Sequence, residues 1–341
     1  MTLEEIAKLA KVSIATVSRT INDVSNVNPA LARRVRRVIE EVGYYPNTHA
    51  RALVSGRSRS FGLIVSDITN PFFPAIVQRF TELGIEHKYE IVLSSAAEDP
   101  NLLDTVARRM IERRVDGVAI LTFGTVNSMV KVFRNRKVPV LAMDALPSEL
   151  VKSLRIDYQH GMRQAVQHLA ALGHVRIAFI SGPIHQRTAA MRRAAFQECM
   201  TEIGLRTIPE LLFAGDHTME GGMKAMSALG ALPDRPSAVI CSNDLTAIGV
   251  MRQAFDLSVD VPRDLSVIGF EDIRMAQFTI PALTAVEISQ TVIAETAFRA
   301  LLQSAQSPSN GSSHQAYTIK TNLLLRSSTG LSPDRRMGSK P

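Results

Sequence analysis

The chain of 341 residues lacks the features that mark membrane, secreted and disulfide-bonded proteins. It has no uninterrupted apolar run of about 18 residues, which is the length that a transmembrane helix needs. Its first residues, MTLEEIAKLAK, lack the basic start and apolar block of a secretory signal. Cys199 and Cys241 stand far apart in apolar sequence, which favours reduced core residues over a disulfide. We therefore expect a cytoplasmic protein with no membrane partner.

The motifs of several enzyme classes are missing as well. The sequence holds no G-x-S-x-G, no G-x-x-x-x-G-K-[ST], no G-x-G-x-x-G and no H-E-x-x-H. Its eight histidines show no paired spacing of the kind that metal sites use. We therefore expect no catalytic activity, no resident metal and no cofactor.

Positive charge is concentrated at the two ends of the chain. Residues 1–59 carry a net charge of +5 and residues 326–341 carry +3, out of a total of +7, so the long middle segment carries −1. A small basic domain beside a near-neutral body indicates a polyanionic partner for the N-terminus. A solvated charged helix at RRVRR explains the same excess, so charge alone leaves both interpretations open.

Residues 1–45 predict three short helices. TLEE forms a capping box with Thr2 as the N-cap, and apolar residues follow it at helical spacing. Ser13 can cap a second helix that runs to about Asn22, and a third helix begins after Asn28 and ends at Gly43. Two short helices joined by a tight turn and supported by a third form a helix-turn-helix arrangement.

The second of these helices has few residues that favour burial in a hydrophobic core. Val17 and Ile21 are its apolar residues at helical spacing, and hydroxyls, an amide and one arginine surround them. In a helix-turn-helix the second helix lies in the DNA major groove, where arginine recognises guanine and short polar side chains contact phosphates. We therefore assign base contacts to Arg19. The phosphate contacts are assigned to Ser13, Thr16, Ser18 and Asn22. A small helical domain with a polar face is the alternative.

The segment TLEEIAKLAKVSIATVSRTIND resembles the N-terminus of the lactose/galactose repressor (LacI/GalR) family. The similarity continues through VNPALARRVRRVIEEVGYYPNTHARAL and covers nearly the whole chain. It implies base contacts from Ile14, Ala15 and Arg19. The phosphate contacts that it implies are Thr2, Ser13, Thr16, Ser18 and Asn22. Small or apolar residues at positions 14 and 15 are similar to the galactose-type and catabolite-control-type readers, and not to the lactose type.

Residues 46–59 predict a short helix followed by a linker. Asn47 can cap the helix, but THARAL makes only two turns, which is too short to persist alone in water. The family resemblance implies a hinge helix in which Leu53 inserts into the minor groove at the centre of the operator and kinks it. It also implies DNA contacts from Asn47 and Ala50. An ordinary linker with Leu53 packed on the body is the alternative.

From Phe61 onward, short apolar strands alternate with helical stretches. The strands FGLIVSD, YEIVLSSA, DGVAILTF and VPVLAMDA come first, and HVRIAFISG, PSAVICSND and DLSVIGFED follow. This alternation predicts two α/β lobes with parallel, doubly wound sheets, and the resemblance implies a periplasmic-binding-protein-like body. The expected divisions are a helix-turn-helix domain at 1–45, a hinge helix and linker at 46–59, a two-lobed body at 60–326 and a disordered tail at 327–341. Within the body, we expect the first lobe at about 60–157 and 289–317. We expect the second lobe at about 158–288 and 318–326.

Polar residues follow several predicted strands. Because ligands of parallel sheets bind beyond the carboxyl ends of the strands, we expect a small-molecule site there. Aromatic rings beside carboxylates and an arginine suit a sugar, although each residue alone is more often a loop or cap residue. In sugar-binding relatives the matching positions contact the effector, and these are Asn70, Phe72, Phe73, Asp144, Thr188, Arg192, Asn243 and Glu271.

Three positions depart from the family pattern. Glu271 replaces the usual aspartate, Ala145 stands where an arginine is common, and Ile288 stands where a glutamine is common. A nucleoside or a phosphorylated effector therefore stays open beside a sugar.

Together these patterns predict a homodimeric transcriptional regulator, a repressor, whose operator affinity a small molecule controls. The resemblance implies a bacterial protein that is associated with the nucleoid. It implies a double-stranded operator with pseudo-palindromic symmetry and a central CG step. It also implies that the effector acts as an inducer. An effector-independent architectural or partner-regulated DNA-binding protein with a vestigial pocket is the alternative. A secreted solute-binding protein would share the body but would need a signal peptide in place of the basic helical domain.

Overall fold

In a computed structural model the chain divides into two compact units, Met1–Ser58 and Arg59–Pro341. The structure describes residues 2–21, 27–44, 57–95, 100–124, 127–145, 151–306 and 315–333. Four residues predicted to bind DNA lie outside this part of the chain: Asn22, Asn47, Ala50 and Leu53. In the part described, no helix has both the length and the hydropathy that spanning a bilayer requires.

The first unit contains three helices, and their ends follow the sequence signals. The helices are α1 (Leu3–Leu9), α2 (Ile14–Ile21) and α3 (Pro29–Val42). The capping box is complete, because Glu5 N donates to Thr2 Oγ1 and Thr2 N donates to Glu5 Oε2. Asn28 caps α3, and Gly43 ends it with a left-handed φ of +59°. Buried apolar residues from all three helices form one core: Ile6, Ala7, Ala10, Val17 and Val35.

The first lobe of the second unit is built on a six-stranded parallel sheet. Its strands are β1 (Ser60–Val65), β2 (Glu90–Ser95), β3 (Gly117–Leu121), β4 (Val140–Met143), β5 (Val151–Asp157) and β11 (Ala316–Lys320). Their order is β11-β5-β4-β3-β1-β2. The helices of this lobe are α4 (Phe72–His87), α5 (Pro100–Glu112), α6 (Asn127–Asn135) and α11 (Gln290–Gln306).

The second lobe repeats this plan with a second six-stranded sheet. Its strands are β6 (Ile177–Ser181), β7 (Leu212–Ala214), β8 (Ala238–Cys241), β9 (Ser266–Glu271), β10 (Thr284–Glu287) and β12 (Asn322–Leu324). Their order is β12-β10-β9-β8-β6-β7, and β12 alone runs antiparallel to its neighbour. The helices are α7 (Tyr158–Ala171), α8 (Arg187–Glu202), α9 (Met219–Gly230) and α10 (Asp244–Asp256).

The last crossing between the lobes lies three residues later than the sequence predicted. The predicted boundary fell between residues 317 and 318, but β11 pairs with β5 up to Lys320, opposite Asp157. The chain therefore crosses at Thr321, whose buried hydroxyl donates to Asp157 O at 2.7 Å. The same hydroxyl accepts from Gly161 N at 2.9 Å, so it holds two crossings together.

The expected disorder of the C-terminal tail is wrong for residues 327–333. Ser328 and Ser332 are fully buried on the second lobe. Val267 N donates to Ser328 O at 2.8 Å, and the Ser328 hydroxyl accepts from Thr284 N at 2.8 Å. Ser328 thus satisfies backbone groups of β9 and β10, and Ser332 N donates to Leu172 O at 3.0 Å. The rest of the tail lies outside the described residues.

Candidate functional site

Helix α2 separates the residues that hold it from those predicted to touch DNA. Ser13 caps it, because its hydroxyl accepts from Thr16 N at 3.2 Å. Val17 is fully buried in the core of the first unit, whereas three side chains predicted to read bases are exposed. These are Ile14, Ala15 and Arg19. The predicted contact face is therefore open to solvent, as a recognition helix requires.

In the second unit, Arg192 is the centre of a buried polar cluster. It stands on α8 with 1% of its surface exposed. Its Nη1 donates to Glu271 Oε1 at 3.1 Å and to the carbonyl of Ser242. The guanidinium carbon lies 5.0 Å from the ring centroid of Phe270 and 5.2 Å from that of Tyr158, within cation–π range.

Glu271 ends β9 and is 2% exposed. Burial raises its pKa to about 7, although the charge and hydrogen bond of Arg192 act in the opposite direction. Its backbone adopts a φ of +111°, which is costly for a residue with a side chain. Such conformations persist where the surroundings enforce them, and they cluster at functional sites.

Several buried polar atoms of the second lobe have no hydrogen-bond partner within the described residues. Five of them belong to Arg192, to Glu271 or to residues that interact with one of these two: Arg192 Nε, His217 Nε2, Ser242 Oγ, Asp244 Oδ1 and Glu271 Oε2. Leaving a buried polar atom unsatisfied costs about 1–3 kcal/mol, so native structures satisfy such atoms with a ligand or with water. This cluster has the donors and acceptors of a ligand site.

Asp144 forms two hydrogen bonds close to this cluster, and its predicted contact with the effector stays a prediction. It follows β4, where its carboxylate accepts from Ile156 N at 3.1 Å and from Tyr158 Oη at 2.9 Å. Burial raises its pKa, and the two hydrogen bonds partly offset this effect. Asp144 therefore orients the Tyr158 ring beside the guanidinium of Arg192.

The two predicted asparagines act as caps. Asn243 accepts from Thr246 N at 3.0 Å at the start of α10 and donates to His217 O at 3.0 Å. Asn70 accepts from Phe72 N at 3.0 Å just before α4. The amide oxygens of both residues are thus engaged by the protein itself.

Phe72 and Phe73 are buried in the first lobe and pack edge to face, with ring centroids 5.3 Å apart. Both rings pack against Phe123, which follows β3. Thr188, at the start of α8, donates to Phe123 O at 3.4 Å. The structure thus brings predicted residues of both lobes to one place.

Sequence reasoning missed three residues of this cluster: Phe123, Tyr158 and His217. Each stands directly after a strand or within three residues of its end, where ligand-binding residues of parallel sheets concentrate. Phe123 follows a strand that the sequence predicted, so it was open to recognition by position. Tyr158 and His217 follow β5 and β7, which the sequence did not predict.

Comparisons with known proteins agree with both parts of this architecture. Residues 2–47 match the family described as bacterial regulatory proteins, lacI family, and residues 166–329 match a periplasmic binding protein-like domain. The HTH-type transcriptional repressor CytR of Escherichia coli strain K12 is 32% identical over 333 residues, which are 97% of each chain. The chain belongs to the LacI family of bacterial regulatory proteins. It is a DNA-binding transcriptional regulator.

Solved structures of similar proteins support the LacI-family fold over the whole chain. The lac repressor dimer bound to operator and the anti-inducer ONPF is 26% identical, with a TM-score of 0.87 over 97% of this chain and 99% of that one. The cellobiose complex of the transcriptional regulator CelR is 28% identical, with a TM-score of 0.73 over 96% and 99%. The predicted family, the predicted fold and the predicted regulatory function are confirmed. The roles of individual residues stay predictions.

Proposed function

We propose that the protein is a homodimeric repressor that binds a pseudo-palindromic operator through α2 and changes its affinity when a neutral sugar binds between the lobes. The observation that carries this proposal is the buried Arg192–Glu271 pair, which aromatic rings enclose and unpartnered polar atoms surround. Hydroxyl groups both donate and accept, and the hydrocarbon face of a sugar ring packs on aromatic side chains. The cellobiose complex of CelR supports a sugar as the effector class. We also propose that the operator has a central CG step and that Leu53 inserts into the minor groove there.

The charge balance of the cluster favours a neutral ligand over a phosphorylated one. Glu271 compensates the charge of Arg192 at 3.1 Å. Burial raises the pKa of Asp144 and that of Asp244, which favours the protonated form of both carboxyls. A phosphate would therefore add a further negative charge beside Glu271, whose carboxylate already compensates Arg192, and burying such a charge is costly.

Thermal unfolding against matched pairs of compounds tests this proposal. The panel contains D-glucose, D-galactose, D-ribose and cellobiose, a set of nucleosides, and the phosphate ester of each compound. We expect a neutral member to raise Tm, as a ligand of the folded state must, and its phosphate ester to have no effect. Operator affinity is then measured with and without the neutral compound, and we expect weaker binding with it. An architectural DNA-binding protein would show no ligand that changes operator affinity.

Effector binding should depend on pH near neutrality. If ionised Glu271 accepts from a sugar hydroxyl, its raised pKa of about 7 makes effector affinity rise between pH 6 and pH 8, by roughly tenfold. The unliganded protein should show the opposite trend: because the pKa rises from 4.5 on folding, the contribution of Glu271 to stability is lost as pH increases toward 7. Isothermal titration calorimetry across this range measures the first effect. Glu271→Gln, which cannot ionise, should bind with an affinity that is flat in pH.

Arg19→Ala should weaken operator binding selectively. If Arg19 bonds to guanine, we expect a loss of about 1–3 kcal/mol per half-site and relaxed preference at one base position. Fluorescence anisotropy with operator and with random DNA measures both affinities. Arg33→Ala removes the same charge from the exposed face of α3 and should not change base preference. An equal loss on both DNAs would assign Arg19 to phosphate contacts instead.

A further inference from the structure

Phe123 is fixed to the first lobe by contacts on several sides. Its N–H donates to the buried hydroxyl of Ser66 at 2.9 Å, which ties it to the end of β1. Its ring centroid lies 5.8 Å from that of Phe72 and 5.0 Å from that of Phe73, both in the core of this lobe. Any displacement of Phe123 therefore involves the packed core around it.

Three side chains of the second lobe contact Phe123. The guanidinium carbon of Arg192 lies 5.8 Å from the Phe123 ring centroid, and the imidazole centroid of His217 lies 6.3 Å from it. Thr188 donates to its carbonyl oxygen at 3.4 Å. Two of these groups also carry unpartnered buried nitrogens, Arg192 Nε and His217 Nε2. Phe123 thus contacts the second lobe where a ligand would bind.

The imidazole of His217 is held in place by its surroundings. Its backbone carbonyl accepts from Asn243, and its ring lies so close to Gly182 that a Cβ at that position would come within 2.0 Å of Nε2. Burial lowers its pKa to about 3, so the ring is neutral at physiological pH. A neutral imidazole offers one donor and one acceptor to a ligand.

We propose that Phe123 is the positioning residue that couples occupancy of the second-lobe cluster to the angle between the lobes. This inference rests on the proposed function, because it requires an effector at Arg192. A ligand that bonds to Arg192 or His217 moves these groups relative to the ring, whose face attracts the guanidinium. Because Phe123 is anchored to the first lobe, the two lobes then adopt a different closure. A ligand shifts such an equilibrium only by its difference in affinity between the two states.

Phe123→Leu tests the coupling, because it keeps an apolar side chain but removes the aromatic face. The readout is the ratio of operator Kd values with and without a saturating panel sugar, with D-ribose, D-galactose, D-glucose and cellobiose as the probes. We expect the wild type to change operator Kd by roughly 5- to 150-fold. Phe123→Leu should lower this ratio to near one, and it should lower sugar affinity by a clearly smaller factor than it lowers the ratio. Phe133→Leu, a buried change in a separate core cluster of the same lobe, should keep the wild-type ratio.

A second variant gives an optical readout. The chain contains no tryptophan, so Phe123→Trp introduces a single indole that keeps an aromatic face toward Arg192. We expect this variant to retain the operator response, and we expect its emission to shift when a probe sugar binds. Phe133→Trp should show no shift. If Phe123→Leu does not fold, Ser66→Ala loosens the same backbone anchor and should lower the response ratio in the same direction.

The outcomes separate this inference from the proposed function. If no probe sugar changes the operator affinity of the wild type, the proposed function itself is wrong for these sugars and the inference falls with it. If the wild type responds and Phe123→Leu responds equally, only the coupling role is overturned. A variant that loses sugar affinity as strongly as it loses the response would make Phe123 a binding contact, which also overturns the coupling role.

Discussion

Replacing Arg192 with alanine is expected to abolish the response to the effector and also to lower the free energy of unfolding by about 3–5 kcal/mol. The response is lost because the guanidinium is the central donor of the cluster and contacts rings of both lobes. Stability is lost because Glu271, 2% exposed, loses its ion-pair partner, so that it must either take up a proton or remain a buried, unpaired charge. The cavity left by the side chain adds to this loss.

A charge-free double variant separates these two effects. Arg192→Met with Glu271→Gln removes both charges at similar volume, and such replacements are often neutral or stabilising. We expect denaturant unfolding to show recovered stability, and operator binding to remain unresponsive to the sugars that raise Tm in the wild type. An Arg192→Ala protein that responds fully at the same sugar concentration would show that the site lies elsewhere. Unchanged stability of that variant would contradict the buried pair.

Ile280→Asp is expected to convert the proposed dimer to a monomer and to weaken operator binding on the order of 10²–10⁴-fold. One helix-turn-helix reads half of a palindromic site, so affinity for the whole operator depends on two linked copies. Ile280 is 98% exposed and Phe278 is 70% exposed, in a segment just before β10. Apolar side chains this open, two residues apart, favour burial against a second copy of the chain. The lac repressor of similar fold was solved as a dimer on its operator.

Sedimentation at micromolar concentration measures the assembly, and anisotropy measures the operator affinity. Val175→Asp is the matched control, since it adds the same charge to an exposed apolar position just before β6. We expect the control variant to remain dimeric. If Ile280→Asp also remains dimeric, the interface lies on another surface. If wild-type protein sediments as a monomer both free and on DNA, the proposed dimer is wrong.

The sequence predicted the elements whose signals are local. The caps of the first unit depend on residues two or three positions apart, so Thr2 and Asn28 could be recognised without tertiary information. Strands β1, β3, β6 and β9 are buried along their whole length and appear as continuous apolar runs. Strands β5, β7 and β11 were missed, because β5 carries Lys152 and Arg155 and the other two are short edge strands with exposed residues.

The candidate site shows the same limit. Arg192 and Glu271 follow from strong elements and from the family pattern, and the structure pairs them. Tyr158 and His217 lie beside this pair because of tertiary packing. Both follow strands that the sequence did not predict, so their positions could not be recognised. Asn70 and Asn243 cap helices in the structure, which is a local role, and their predicted contacts with the effector stay predictions.

The interleaving of the two lobes constrains how the protein is made on the ribosome. The first lobe begins at β1, yet α11 brings Phe298 against Phe61 and Phe80 in its core, and β11 forms one edge of its sheet. Both elements are synthesised only after the second lobe has been made as far as β10. The first sheet therefore stays incomplete, with β5 as an unpaired edge, while residues 158–315 are synthesised. A nascent chain of this kind depends on protection of that edge until the last strands emerge.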